Sequence, residues 1–252
     1  MSEVINMRLF CLPHSGASAM AYNRWRRSLP EWLHVRALEL PGRGMRMDEP
    51  LQCDIKRLAH QLADEISPEL DRPFAIFGHS LGGLLAFELV HALRERGLPA
   101  PLALFASATA GPARRDVSEY AVAKSDAQLL ARLRELKGTD DAVLANTELM
   151  QLMLPILRAD FLLCGSFTYG QRTPLALPIH VFGGKQDSVR ADQLLDWQAD
   201  TCCRFSLDMF EGHHFFLVEQ EQPLLRCLRR YAEEHLARWR NHQARPIASP
   251  HV

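Results

Sequence analysis

Apolar and polar positions along the chain follow two rhythms. Short runs rich in branched and aromatic residues at 6–12, 34–40, 73–78, 101–106, 178–183 and 204–210 predict strands. Two of them, Phe74-Ala75-Ile76-Phe77 and Leu102-Ala103-Leu104-Phe105, are apolar at every position, as central strands of a parallel sheet covered on both faces should be. Helical periodicities lie between. The stretch 54–65 sets Ile55, Leu58, Ala59 and Leu62 on one face, and 81–93 is apolar almost all round. The stretch 222–239 opens on Pro223 and then spaces Leu224, Leu225, Leu228, Tyr231 and Ala232 along a helix. Strand then helix, repeated, predicts an α/β domain with a mostly parallel, doubly wound sheet.

One segment breaks the alternation. From about 112 to 170 there is no strand signal, only helical patterns at 125–137, stopped by Gly138, and at 147–163. The second has too many apolar positions for one face, with Leu149, Met150, Leu152, Met153, Leu154, Ile156 and Leu157 in succession. Lying between two strands, the segment predicts a helical lid inserted into a single domain that spans 1–252. Only the tail after Asn241 reads as loosely ordered.

Composition narrows the function classes. At 252 residues the chain can bury a large core. The 29 Lys and Arg against 30 Asp and Glu leave a net charge of -1, with no basic stripe of the kind a nucleic-acid partner needs. The longest uncharged stretch, 97–113, carries three prolines and is too short to span a membrane, and no leader-like pattern opens the chain, so a cytoplasmic location is expected. The six cysteines are scattered without metal-ligand spacing, which favours reduced thiols.

The strongest motif is Gly78-His79-Ser80-Leu81-Gly82, a G-x-S-x-G that leaves an apolar strand and enters an apolar helix. That context predicts a nucleophile elbow, whose turn is sharp enough to need glycine two residues either side of Ser80. The helix N-terminus there favours the negative charge that develops during attack. The same residues resemble the serine at which carrier proteins accept phosphopantetheine, but that site has no strand leading into it.

A serine needs a histidine to take its proton, and the histidine needs a carboxylate. In this fold they follow in the order Ser, Asp, His. Gly183-Gly184-Lys185-Gln186-Asp187 follows the strand at 178–183 and supplies the acid Asp187, with Asp192 as a fallback. His213 and His214 follow the last strand, and the residues alone leave the choice between them open. The oxyanion hole is expected to use the N–H of Leu81 and a second N–H from the loop Pro13-His14-Ser15-Gly16-Ala17, with Ser15 as the candidate. His14 reads either as a group facing the substrate or as packing under that loop.

These residues resemble the type II, or external, thioesterases of nonribosomal peptide and polyketide synthesis, which have the α/β-hydrolase fold. The resemblance spans roughly residues 9–239. It rests on the loop at 12–18, on Pro41-Gly42-Arg43-Gly44, on the elbow, on Leu157-Arg158-Ala159-Asp160-Phe161, and on His214-Phe215-Phe216. The family's base precedes two phenylalanines, which favours His214. Its first loop usually reads Pro-His-Ala-Gly-Gly, so Ser15 and Ala17 depart from it, both by small residues.

The resemblance implies a serine hydrolase that removes aberrant acyl or aminoacyl groups from the phosphopantetheine arms of carrier domains. It implies no cofactor beyond the phosphopantetheine of the substrate, transient carrier partners and a monomeric chain. Met150 and Met153 become candidates for an adaptable acyl pocket, with core filling as the equal alternative. Arg43, Arg46, Arg114 and Arg115 would flank the mouth and meet the carrier. A small-molecule carboxylesterase on the same fold is the rival reading.

Overall fold

The computed structural model describes residues 6–138, 141–170 and 172–243. Six strands, β1 (Met7–Leu12), β2 (Leu33–Ala37), β3 (Phe74–His79), β4 (Leu104–Ser107), β5 (Ile179–Gly184) and β6 (Phe205–Phe210), form a sheet in the order β2-β1-β3-β4-β5-β6. Every pairing in it is parallel. The main helices are α1 (Ile55–Ile66), α2 (Leu81–Glu95), α3 (Asp126–Leu136), α4 (Thr147–Gly165) and α5 (Glu221–Gln243).

The period of two along each strand sorts its side chains between two cores. Phe10 and Leu12 of β1, Phe74 and Ile76 of β3, and Ile179 and Val181 of β5 join the core beneath α1 and α2. Leu9 and Cys11, Ala75 and Phe77, and Phe182 face the other way, into the core beneath α5. Each large side chain buried in this way contributes about 1.5–3 kcal/mol. Coverage on both faces is why the strands read as continuous apolar runs.

Strand bounds differ from expectation where prolines or early departures intervene. The run at 101–106 starts with Pro101, which has no N–H to give, and the strand proper begins at Leu104. α5 remains helical through Gln243, so the loose order expected after Asn241 is not seen there, and the rest of that tail lies outside the described residues.

Helices α3 and α4 lie between β4 and β5 in the chain, where an insertion was expected. Their apolar residues Leu129, Leu133, Met150, Leu154, Leu157 and Phe161, joined by Leu144 from the segment between them, form a third cluster. α4 runs through Pro155 without breaking.

The chain departs from β1 toward one edge of the sheet and from β3 toward the other. The crevice outside the carboxyl ends of β1 and β3 is therefore a topological switch point, where open parallel sheets place their sites. Both the 13–17 loop and Ser80 stand there.

Candidate active site

Ser80 sits between β3 and α2 at φ 55° and ψ -115°, a region that non-glycine residues rarely enter. Close packing holds it there. A Cβ on Gly78 would strike the Gly82 backbone, and a Cβ on Gly82 would strike the carbonyls of Leu12 and Pro13. The Ser80 N–H donates to the Ser107 carbonyl at 2.8 Å, and its hydroxyl does not cap α2. The hydroxyl instead lies 3.0 Å from His214 Nε2.

His214 Nδ1 lies 3.1 and 3.0 Å from the two carboxylate oxygens of Asp187. Both side chains are nearly dry, at 8% and 1% exposure, so bulk water competes little for these bonds. The Val189 N–H and the Ser188 hydroxyl also donate to Asp187 Oδ1, at 3.2 and 3.3 Å, and fix the carboxylate. His213 is exposed and turns its Nδ1 to the Gln186 carbonyl at 3.0 Å. Asp192 is on the surface, paired with Arg190. Of the alternatives left open by the sequence, the fold brings Asp187 and His214 to Ser80, and not Asp192 or His213.

A cavity of about 70 Å³ opens beside this chain of hydrogen bonds, lined by Ser80, His214, His14 and Ser15. Among the described residues the N–H groups of Ser15 and Leu81 have no acceptor, whereas that of Gly16 is taken by Asp160 Oδ2 at 2.7 Å. His14 and His79 are buried beside His214. Desolvation first, then the charges of His214 and Arg43, lower the pKa of His14 to about 4. Burial, with His214 and His14 nearby, drives His79 well below the usual imidazole value. Both rings are neutral near pH 7.

Helices α3 and α4 supply much of the rest of the cavity wall, but not through the residues expected. Met150 is buried in the cluster between α3 and α4, Met153 packs on its edge, and neither lines the cavity. Leu157, Phe161 and Cys164 do, one stripe at helical spacing on α4, with Leu133 and Leu136 from α3. The excess of apolar positions in 147–163 signalled a helix wedged between two environments. Met150 and Met153 stand nearer the start of α4, within the cluster it shares with α3.

The arginines expected at the mouth also divide. Arg43 is 4% exposed and bonded to Asp160, and Arg46 is held by Glu49 and Glu65. Arg115 lines the cavity and donates to Thr109 Oγ1 at 2.7 Å. Arg114 alone of the four is strongly exposed, 3.6 Å from Asp196. Among the described residues no three His, Cys, Asp or Glu side chains are placed to hold a metal ion, and no helix is long and apolar enough to cross a membrane.

The arrangement has the parts for acyl transfer through a serine: a strained hydroxyl, an imidazole to accept its proton, a carboxylate to orient the imidazole, and N–H groups at the cavity. The thioesterase-domain model matches residues 7–231. The chain belongs to the thioesterase family. This thioesterase is 36% identical over 226 residues to the gramicidin S biosynthesis protein GrsT of Aneurinibacillus migulanus, covering 89% of this chain and 88% of that one. Among solved structures it is similar to ClbQ from the colibactin NRPS/PKS pathway, with a TM-score of 0.85, 32% identity, and coverage of 92% of this chain and 99% of that one. It is also similar to BorB, the type II thioesterase of the borrelidin biosynthetic cluster, with a TM-score of 0.82, 34% identity, and coverage of 90% and 92%. The family to which the sequence was likened is thus the one to which the chain belongs.

Proposed function

We propose that this thioesterase is an external editing enzyme of nonribosomal peptide or polyketide synthesis. It hydrolyses aberrant acyl and aminoacyl thioesters from the phosphopantetheine arms of carrier domains. The observation that carries the reading is the continuous chain from Ser80 through His214 to Asp187 beside a small, lid-covered cavity, in a protein similar over nearly its whole length to BorB and ClbQ.

Ser80 Oγ attacks the thioester carbonyl as its proton passes to His214 Nε2, and the C–O bond forms as the carbonyl π bond opens to an oxyanion. The N–H groups of Leu81 and Ser15 stabilise that charge. Collapse breaks the C–S bond, and the His214 proton goes to the departing sulfur of the arm. Water, giving a proton to the same nitrogen, attacks acyl-Ser80; the second collapse returns that proton to Ser80 and releases the carboxylic acid. Asp187 accepts from His214 Nδ1–H, which keeps Nε2 facing Ser80 throughout and stabilises the imidazolium formed at each tetrahedral stage.

The exposed guanidinium of Arg114 is the arginine left to meet a carrier's acidic surface or the phosphate of its arm. The cavity of about 70 Å³ suits short acyl groups.

Rapid acid quench after mixing with an acyl-loaded carrier, followed by peptide mass spectrometry, tests the chemistry. The expected result is an acyl adduct on the peptide containing Ser80, absent in Ser80→Ala. Turnover by Ser80→Ala at the wild-type rate would overturn the reading.

A further inference from the structure

Asp160 is buried on the lid helix α4, yet its carboxylate does not serve the lid. Oδ2 accepts from the Gly16 N–H at 2.7 Å and from Arg43 Nη1 at 2.7 Å, and Oδ1 accepts from Arg43 Nη2 at 2.6 Å. The two side chains are 1% and 5% exposed. Arg43 Nη1 reaches on to the Ala17 carbonyl at 3.3 Å. One ion pair therefore grips both sides of the turn after β1, at a residue adjacent to Ser15, and that turn is closed by the Ala17 N–H on the His14 carbonyl at 3.1 Å.

The turn has a second tie to the same helix. Gly16 has φ +79°, and a Cβ there would collide with the Leu157 side chain. Leu157 and Phe161, on either side of Asp160 along α4, line the cavity beside Ser80. The helix that walls the acyl chamber is thus also the one that holds the loop carrying an oxyanion donor.

We propose that Asp160, with Arg43, is a positioning residue for the oxyanion hole and couples the seating of the lid to it. With α4 seated, the Asp160 carboxylate draws in the Gly16 N–H and fixes the Ser15–Gly16 peptide, and through it the adjoining His14–Ser15 peptide, whose N–H is aimed at the developing oxyanion and whose carbonyl is held by the Ala17 N–H. With α4 displaced, Gly16 loses its acceptor and the Ser15 donor loses its aim, so acyl transfer is fast only beneath a closed lid. This rests on the acyl-serine reading proposed above.

A purely structural ion pair and a positioning one respond differently to replacement by apolar residues. A buried pair exchanged for packed hydrophobic side chains is often neutral for stability. The test is the double variant Arg43→Met/Asp160→Leu beside Asp160→Asn, with a short acyl-cysteamine thioester as substrate. Two inhibitors report on the site: an alkylboronic acid, whose adduct with Ser80 places a tetrahedral oxygen in the hole, and an unreactive thioether analogue of the substrate.

The expected result is a folded double variant, by thermal melting, whose kcat falls about 10²-fold with little change in KM. The boronate Ki rises in parallel while the thioether Ki stays at the wild-type value. If the double variant does not fold, Asp160→Asn is read by the same ratio of boronate to thioether Ki. Wild-type kcat in a folded variant, or a fall in kcat without a rise in boronate Ki relative to thioether, overturns the proposal. Turnover that survives Ser80→Ala would instead sink the acyl-serine reading on which it rests, so the two failures are told apart.

Discussion

Asp187 and His214 are 27 positions apart in the chain and 3.0 Å apart in the fold, joined across the ends of β5 and β6. The adjacent His213 has its ring on the Gln186 carbonyl instead. Replacing the carboxylate by an amide should leave the imidazole in the wrong tautomer. We expect Asp187→Asn to lower kcat by on the order of 10⁴-fold with the fold intact. His213→Ala should retain near wild-type kcat. Steady-state kinetics on both variants checks the assignment, and comparable losses in the two would contradict it.

At Gly82, as at Gly78, an added Cβ meets main-chain atoms rather than a side chain that could turn away, and at Gly82 these are the carbonyls of Leu12 and Pro13 that lead into the oxyanion loop. Gly82→Ala should cost about 1–3 kcal/mol of stability and displace the oxyanion loop. Gly97→Ala, where a Cβ meets nothing but φ is +65°, should cost stability through backbone strain without touching kcat. Urea unfolding and kcat measured together separate the two effects.

Acyl selectivity should follow the cavity wall rather than the methionines. Leu136 lines the cavity and Met153 does not. Leu136→Trp should lower kcat/KM for medium acyl chains while sparing acetyl, and Met153→Leu should leave the chain-length profile unchanged. A panel of acyl-cysteamine thioesters of increasing length measures this directly. A profile that moves with Met153 would return the pocket to the other turn of α4.

Stability should fall as the solution is acidified from pH 7 to pH 5. His14 and His235 have pKa values lowered to about 4, and His91 and His180 to about 3, with His79 also far below normal; desolvation leads in each case. In the unfolded chain these rings take up protons near pH 6.5, so below that pH the unfolded state binds more protons and is favoured. Burial raises Asp200 to about 6, which acts in the opposite direction as the folded state takes its proton first. Five imidazoles outweigh one carboxyl. The urea midpoint should therefore drop between pH 7 and pH 5, and a flat or rising midpoint would contradict the account.

The sheet was legible because coverage on both faces leaves an unmistakable run such as 74–77, and the elbow because its glycines are demanded by backbone contacts. Asp187 could be read from chain order. Direction in space is what sequence withholds: it could not say which of two neighbouring histidines turns inward, nor that the cavity runs past Leu157, Phe161 and Cys164 of α4 and stops short of Met150 and Met153. Arg43 shows the same limit. Its charge suggested a solvated mouth, whereas its partner Asp160 lies 117 positions away and draws it into the interior.

Arg114→Glu is the cleaner test of carrier contact, since Arg115 lines the cavity and its reversal would disturb binding of any substrate. It should raise KM for an acyl-loaded carrier and leave KM for the matching acyl-cysteamine unchanged. Equal effects on both would remove Arg114 from the docking surface.

Ser80 acting on carrier-bound thioesters is tested most directly by kcat/KM for one acyl group presented on a holo-carrier domain and as a simple ester, with wild type and Ser80→Ala. The expected result is strong preference for the carrier thioester, abolished by the substitution. Indifference to the carrier, or preference for the ester, would contradict it and make the protein a general esterase whose lid merely shapes a pocket.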